Sequence, residues 1–291
     1  MRDYTEDLQR RICAALEAFE ETRFVNYPWD REGGGGGTAK ILQGGKVFEK
    51  GGVNVACVQG TLSPEIAHKL KIKEGEFAAC GLSLVVHPFS PKIPTVHLNI
   101  RFFEKQNGEA WFGGGMDLTP YYPYEEDFRH FHQVLFKACE KIERGSYQKY
   151  KEECDRYFYL THRGEGRGVG GIFFDYLKED LTQHFQFVQS VGDAFLPAYV
   201  PILEKRCEES FNEEDKNFQL NRRGRYVEFN LIYDRGTLFG LATQGNIEAI
   251  LMSLPPIVHF TSHWKPKPGS IQEKMLQFYQ PRGWLAGQEK N

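Results

Sequence analysis

The chain has 291 residues, a net charge of −3, 41% hydrophobic residues and 14% aromatics. That apolar content can fill a substantial core, which excludes a disordered chain. The near-neutral charge argues against a nucleic-acid or acidic-membrane binder that works through bulk charge. No run approaches ~18 consecutive apolar residues, so no membrane-spanning helix is expected. The six cysteines, at 13, 57, 80, 139, 154 and 207, show no CxxC spacing and give no sign of a zinc ribbon, an iron–sulfur site or a redox dithiol. Together with an acidic, amphipathic N-terminus they point to a reducing compartment, with cytoplasmic residence the expectation.

Residues 4–22 have helical spacing, with Leu8, Ile12, Ala15, Leu16 and Phe19 on one face. The glycine run at 33–37 reads as a mobile loop whose amides are free to cup a carboxylate. It is not a nucleotide phosphate loop, because neither Lys40 nor Lys46 completes G-x-x-x-x-G-K-[ST]. A hairpin is predicted over 41–60, turning at Gly44-Gly45, and strands over 77–87, 94–104 and 110–117. The link PFSPKIP is proline-stiffened, so the first two of these strands should pair antiparallel. Helices are predicted at 124–142 and 146–159, a short strand within 167–176, helices over most of 178–208, and a helix start at 213–220. The spacing then predicts a hairpin of strands 225–235 and 237–243 around Gly236, and a helix at 246–253 before Pro255-Pro256. The tail beyond 262 is polar and loosely patterned. No repeat or linker interrupts the chain, so the expectation is a single α+β domain over 1–291 around a mainly antiparallel sheet.

The polar residues follow the same alternation. In TVHLNIRFF, at 95–103, Val96, Leu98, Ile100 and Phe102 share one strand face, and Thr95, His97, Asn99, Arg101 and Phe103 share the other. His97 and Arg101 then sit ~13 Å apart. Such a row suits a large, flat, polar-edged ligand, or simply a solvated face. CGLSLVVH, at 80–87, adds Ser83 and His87 to that surface. In RYVEFNLIYDR, at 225–235, Val227, Phe229 and Leu231 alternate with Glu228, Asn230 and Asp234, while Arg235 needs a bulge or a different partner. In WFGGGMDLTPYYPY, at 111–124, three glycines beside Asp117 let a ligand come close, or Asp117 caps the following helix. Asp117 and Asp234 are candidates for a general acid–base pair, or Asp234 pairs with a nearby arginine. His130 and His132 face different sides of their helix. His87 and His97 can meet across the hairpin, but zinc requires three or four such ligands. The arginines of HRGEGRGVGGIFFDYL, at 162–177, and of NRRGR, at 221–225, suit carboxylates. The sum describes an anionic, flat, hydrophobic-edged ligand better than a nucleotide.

Five segments carry a specific resemblance: VHPFSPKIPTVHLNIRFF, WFGGGMDLTPYYPYEEDFRHFH, YFYLTHRGEGRGVGGIFFD, NFQLNRRGRYVEFNLIYDRGTLFGL and ILMSLPP. In order, and over nearly the whole chain, they resemble the oxygen-dependent coproporphyrinogen III oxidases of haem biosynthesis. The resemblance implies a large, flat, mainly antiparallel sheet of about seven strands packed between helices. It implies conversion of two propionates of coproporphyrinogen III to vinyl groups, giving protoporphyrinogen IX, carbon dioxide and hydrogen peroxide. Molecular oxygen would be the co-substrate, and no flavin, haem or metal would be needed. His97 matches the proton donor. Ser83, Asn99, Ile100 and Arg101 match substrate contacts, and Asp234 matches the acid that holds the pyrrole N–H groups. Arg101, Asp117, Arg163, Arg167 and Arg235 match positions tied to propionate binding or site integrity. His87, His97, His132 and His162 match histidines proposed as metal ligands in some members.

Gln244, Gly245 and Asn246 stand where many members carry a glycine-rich turn ending in arginine. Asn246 cannot supply that cation, and Lys40 or Arg222 is the expected substitute. The resemblance also implies a homodimer with its interface near 41–50 and 226–260. The residues themselves leave two rivals, a metal-dependent hydrolase and a tetrapyrrole carrier without turnover.

Overall fold

Helix α1 (Arg2–Glu17) opens the chain because Leu8, Ile12 and Leu16 recur at four-residue steps and bury together. This computed structural model describes residues 1–62, 64 and 75–285. Six strands follow α1: β1 (Val25–Asp30), β2 (Gly35–Gln43), β3 (Phe48–Leu62), β4 (Gly75–Pro88), β5 (Thr95–Lys105) and β6 (Ala110–Thr119). Then come α2 (Glu125–Glu140), α3 (Ser146–Tyr157), a two-stranded ribbon of β7 (Tyr159–Leu160) and β8 (Glu165–Gly166), and β9 (Gly171–Leu177). The remaining helices are α4 (Leu181–Asp193), α5 (Phe195–Arg206), α6 (Glu213–Ile232), α7 (Arg235–Ala242), α8 (Ile247–Leu251) and α9 (Ile271–Leu276).

Seven strands form one antiparallel sheet in the order β1-β2-β3-β4-β5-β6-β9. The fold is α+β, as expected. The even positions of β4 and β5 (Leu82, Leu84, Val86, Val96, Leu98, Ile100) join Met116 and Leu118 of β6 in the main core with α1, α2, α4 and α5. The odd positions face the other side. There a smaller cluster forms from Cys154, Phe158, Leu160, Phe173 and Phe229. Helix α3 takes part in both: Tyr147 and Tyr150, from its first turns, lie in the main core, and Cys154 lies in the smaller cluster.

Three expectations are corrected. Residues 225–235 are not a strand: 225–232 are the last two turns of α6, Tyr233 and Asp234 form the break after it, and 235–243 is α7 and its cap rather than a hairpin partner. Phe218, Arg222, Tyr226 and Phe229 recur at helical spacing and bury, and a reciprocal cap between Asn212 and Asp215 starts the helix. Second, the glycine run is a tight turn feeding β2 rather than a loose loop. Gly34 donates to the Arg31 carbonyl, and a Cβ at Gly37 would lie 2.2 Å from the Val55 carbonyl oxygen. Third, Cys57 and Cys80, 23 residues apart, lie directly opposite on β3 and β4 and are joined as a disulfide. Strand register creates that pair, and cysteine spacing does not reveal it. The tail up to residue 285 is also better ordered than its pattern suggests: Trp284 donates to the Val169 carbonyl and Tyr279 to that of Pro120. Residues 286–291 lie outside the described residues.

Candidate active site

The odd-position face of the sheet forms the floor of a cleft of about 600 Å³, walled by the end of α3 and by α6, α7 and α8. Ser83 and Asn54 meet across β3 and β4, with His97, Asn99 and Arg101 on the neighbouring strand. Tyr157, Phe158, Phe173 and Asp175 close one side, and Asp234, Arg235 and Phe239 close another. Although 225–235 is not a strand, Asp234 and Arg235 reach the same cavity, because the break between α6 and α7 falls over the sheet. A second hollow of about 500 Å³, around Gln59, Glu76, Phe77, Glu104 and Gln106, is lined by neither histidine nor arginine among the described residues.

His97 is held from behind. Its Nδ1 lies 2.8 Å from Asp117 Oδ1, and its ring packs edge-on to Phe158 at 5.9 Å. Asp117 lies within β6, not at a helix cap, and is buried. Burial alone raises its carboxyl pKa, but the Arg167 charge and the His97 bond outweigh it and hold the group below the usual range. As a carboxylate it accepts the Nδ1–H, which leaves Nε2 as the ring's other nitrogen for the cleft. Arg167 grips Asp117 at 2.8–3.2 Å, donates to Asn230 Oδ1 at 2.7 Å, and lies 4.1 Å from the Phe158 ring centroid. Burial would weaken its charge, and Asp117 more than restores it.

Asp234 is the N-cap of α7. Thr237 donates to Oδ2 through its N–H (2.7 Å) and hydroxyl (2.8 Å), and Tyr157 donates to Oδ1 at 2.9 Å. A carboxylate offers about four acceptor sites, so Asp234 has room for one more donor, not the several expected. The two exposed-edge arginines converge: Arg101 Nη2 lies 2.9 Å and Arg235 Nη2 3.3 Å from Asp175 Oδ2. Aromatic rings pave the floor beside them, with Phe103 stacked on Trp111 at 4.7 Å and Trp111 on Tyr176 at 5.1 Å.

Several expected residues stand elsewhere. The Ile100 side chain is in the main core, so only its backbone can face the cleft. Arg163 forks onto Glu228 at 2.6 and 2.9 Å outside the cavity lining. Gln244, Gly245 and Asn246 form the turn between α7 and α8, where Asn246 caps α8, and none lines the cleft. Neither proposed substitute cation reaches it. Arg222 is buried against Glu165 and Tyr279, and Lys40 lies near Cys13 of α1 on the other face. The four histidines do not converge: His87 bonds the Ser253 carbonyl, His132 the Tyr147 hydroxyl and Val169 carbonyl, and His162 Tyr233 and Glu228. Among the described residues, no group of three or more His, Cys, Asp or Glu side chains is set to hold a metal ion.

Sequence reasoning missed Asp175, Tyr157, Asn230 and the aromatic pavement as site residues. The alternation of GIFFDY, which puts Phe173 and Asp175 on one face, was the available signal.

A cleft-facing imidazole backed by a buried carboxylate–guanidinium pair, beside paired arginines on an aromatic floor, defines an enzyme that handles a flat, carboxylate-bearing substrate. Residues 1–284 match the family model described as coproporphyrinogen III oxidase, and the chain belongs to that family. Its activity is the oxidative decarboxylation of coproporphyrinogen III in haem biosynthesis.

Proposed function

We propose that this cleft converts two propionates of coproporphyrinogen III to vinyl groups with molecular oxygen as sole co-substrate, without flavin, haem or metal. The observation that carries the reading is that Arg101, Arg235, His97 and Asp234 all line one cavity. Moving a carboxylate out of water is costly unless a cation meets it, and the two guanidinium groups supply forked donors. For each propionate, the C–C pair of the departing carboxylate becomes the vinyl π bond. The C–H pair on the ring-side carbon passes to oxygen, which takes one proton and leaves as hydrogen peroxide. Asp234 accepts a pyrrole N–H on its remaining acceptor site, which raises the electron density of that ring. His97 Nε2 hands over the proton, and Asp117 stabilises the imidazolium.

The test is parallel aerobic and anaerobic incubation with coproporphyrinogen III, with oxygen, peroxide, vinyl product and bound metals measured in one sample. Matched oxygen loss and peroxide gain without stoichiometric metal is expected; equal product without oxygen rejects the reading.

The working unit is proposed to be a cytoplasmic homodimer built through the 41–50 and 226–260 stretches. Exposed Leu231, Ile232, Leu241, Ile247, Ile257 and Phe260 support that surface. The Cys57–Cys80 disulfide weighs against a reducing compartment, whereas the four unpaired cysteines fit one. Cys57 and Cys80 found reduced in freshly alkylated cell extract would agree with it.

A further inference from the structure

We infer that Asp175 is a positioning residue that yokes Arg101 and Arg235 into one propionate-binding pair. The inference rests on the carboxylate-binding reading of the cleft. The three side chains come from three elements, β5, β9 and α7, and one oxygen, Asp175 Oδ2, meets both guanidinium groups, at 2.9 and 3.3 Å. Asp175 is only 14% exposed in its side chain. Its other oxygen accepts from the Tyr176 N–H, which fixes the carboxylate plane.

The backbone makes room for the yoke. A Cβ on Gly113 would stand 2.5 Å from Asp175 Oδ1 and 2.9 Å from Arg101 Nη2, so a side chain here pushes the pair apart. Asn99 pins the remaining end of Arg101 at 2.8 Å. Arg235 rests near the Tyr157 and Phe173 rings, 5.0 and 5.6 Å from their centroids. Only Nη2 of Arg235 is spent on Asp175, so further N–H donors are left for a ligand. Two guanidinium groups this close repel each other. Without the shared carboxylate they separate, and a propionate would have to reassemble them at the cost of binding free energy. With it the pair keeps a net positive charge and a set geometry. The residue therefore acts on binding more than on the chemical step.

The experiment compares wild type, Asp175→Asn and Gly113→Ala by steady-state kinetics on coproporphyrinogen III. Binding of the unreactive tetracarboxylate coproporphyrin III is followed in parallel by quenching of tryptophan fluorescence. Asp175→Asn is expected to raise KM and weaken coproporphyrin binding at least tenfold, with kcat lowered less than threefold. Gly113→Ala should move the same two quantities in the same direction, and it carries the test if Asp175→Asn does not fold. In an Arg235→Gln background the Asp175→Asn penalty should shrink at least threefold, because one yoked group is already gone. A general structural role would lower kcat with the folded fraction and leave KM alone. Unchanged or tighter binding in both variants overturns the inference while the cleft reading stands. Wild type that neither binds the porphyrin nor turns over the porphyrinogen overturns both.

Discussion

Asp117 and Asp234 are the two carboxylates the sequence singles out, and their surroundings give them opposite vulnerabilities. Asp117 is sealed in with Arg167, so removing its charge strands a buried cation. Asp117→Asn is expected to destabilise the protein by about 3–5 kcal/mol, the range for breaking a buried pair from one side, read by urea unfolding at neutral pH. Its pKa is depressed in the folded state, so its contribution is complete above the unfolded value of about 4 and is lost as pH falls through the lower folded value. The wild type should therefore lose more stability than Asp117→Asn as pH falls below about 4. Asp234 works in the open. Asparagine caps a helix as well as aspartate does, so Asp234→Asn should leave the melting temperature nearly unchanged. Oxygen uptake should fall by about 10²–10³-fold, the usual loss when one electrostatic contact to the reacting group goes. Uptake at the wild-type rate would remove Asp234 from the chemistry. At this scale the floor of the site was legible: period-two alternation placed Ser83, His97, Asn99 and Arg101 on one face, and all four line the cleft. Asp175 was not legible, because its role comes from meeting residues 74 positions upstream and 60 downstream in sequence, which no local pattern encodes.

At the scale of elements, the misread stretch is instructive. VEFNLIYD alternates well enough for a strand, and its β-branched and aromatic residues favour one. The helical reading needs Arg222 counted as a buried position, and a charged residue hides that periodicity. The arginine is buried because Glu165 and the Tyr279 ring receive it, both distant in sequence. The hairpins β2–β3 and β4–β5 were legible for the opposite reason, since their turns and alternation are local. Helix α7 is the element on which the wall of the cleft depends. It has only eight residues and sets Phe239 edge-on to Phe77 and Phe103, at centroid distances of 5.6 and 6.1 Å. Phe239→Ala loosens that anchor without touching an ionisable group. Because α7 carries Arg235 and begins at Asp234, the variant should raise KM and lower kcat together, each severalfold. Its thermal stability should fall by about 1 kcal/mol, typical of a half-buried position. A change in stability alone, with both kinetic constants intact, would mean that α7 does not place the catalytic groups.

The whole molecule uses its sheet asymmetrically. One face is sealed by four helices, and the other is left partly open as the cleft, covered by a thinner layer of α6, α7 and α8. That thinner layer and the segment after it carry exposed apolar side chains: Ile232, Leu241 and Ile247 in the helices, and Ile257 and Phe260 beyond α8, are 40–59% exposed. The chain gains nothing by presenting them to water singly, and as a group they are the right kind of surface for a subunit contact. The edge strand β1 adds Val25 and Tyr27, each 52% exposed, and among the described residues pairs along only one side. A partner seated on α7 and α8 would brace the cleft wall from outside, so assembly and substrate binding should be linked. Light scattering should therefore give twice the 33.6 kDa chain mass for the wild type. Ile247→Asp combined with Phe260→Asp should give the single-chain mass and a higher KM, because neither residue lines the cleft. A double variant that stays at the double mass moves the contact to another surface. One that becomes single-chain with wild-type kinetics shows that the wall of the cleft stands without its neighbour.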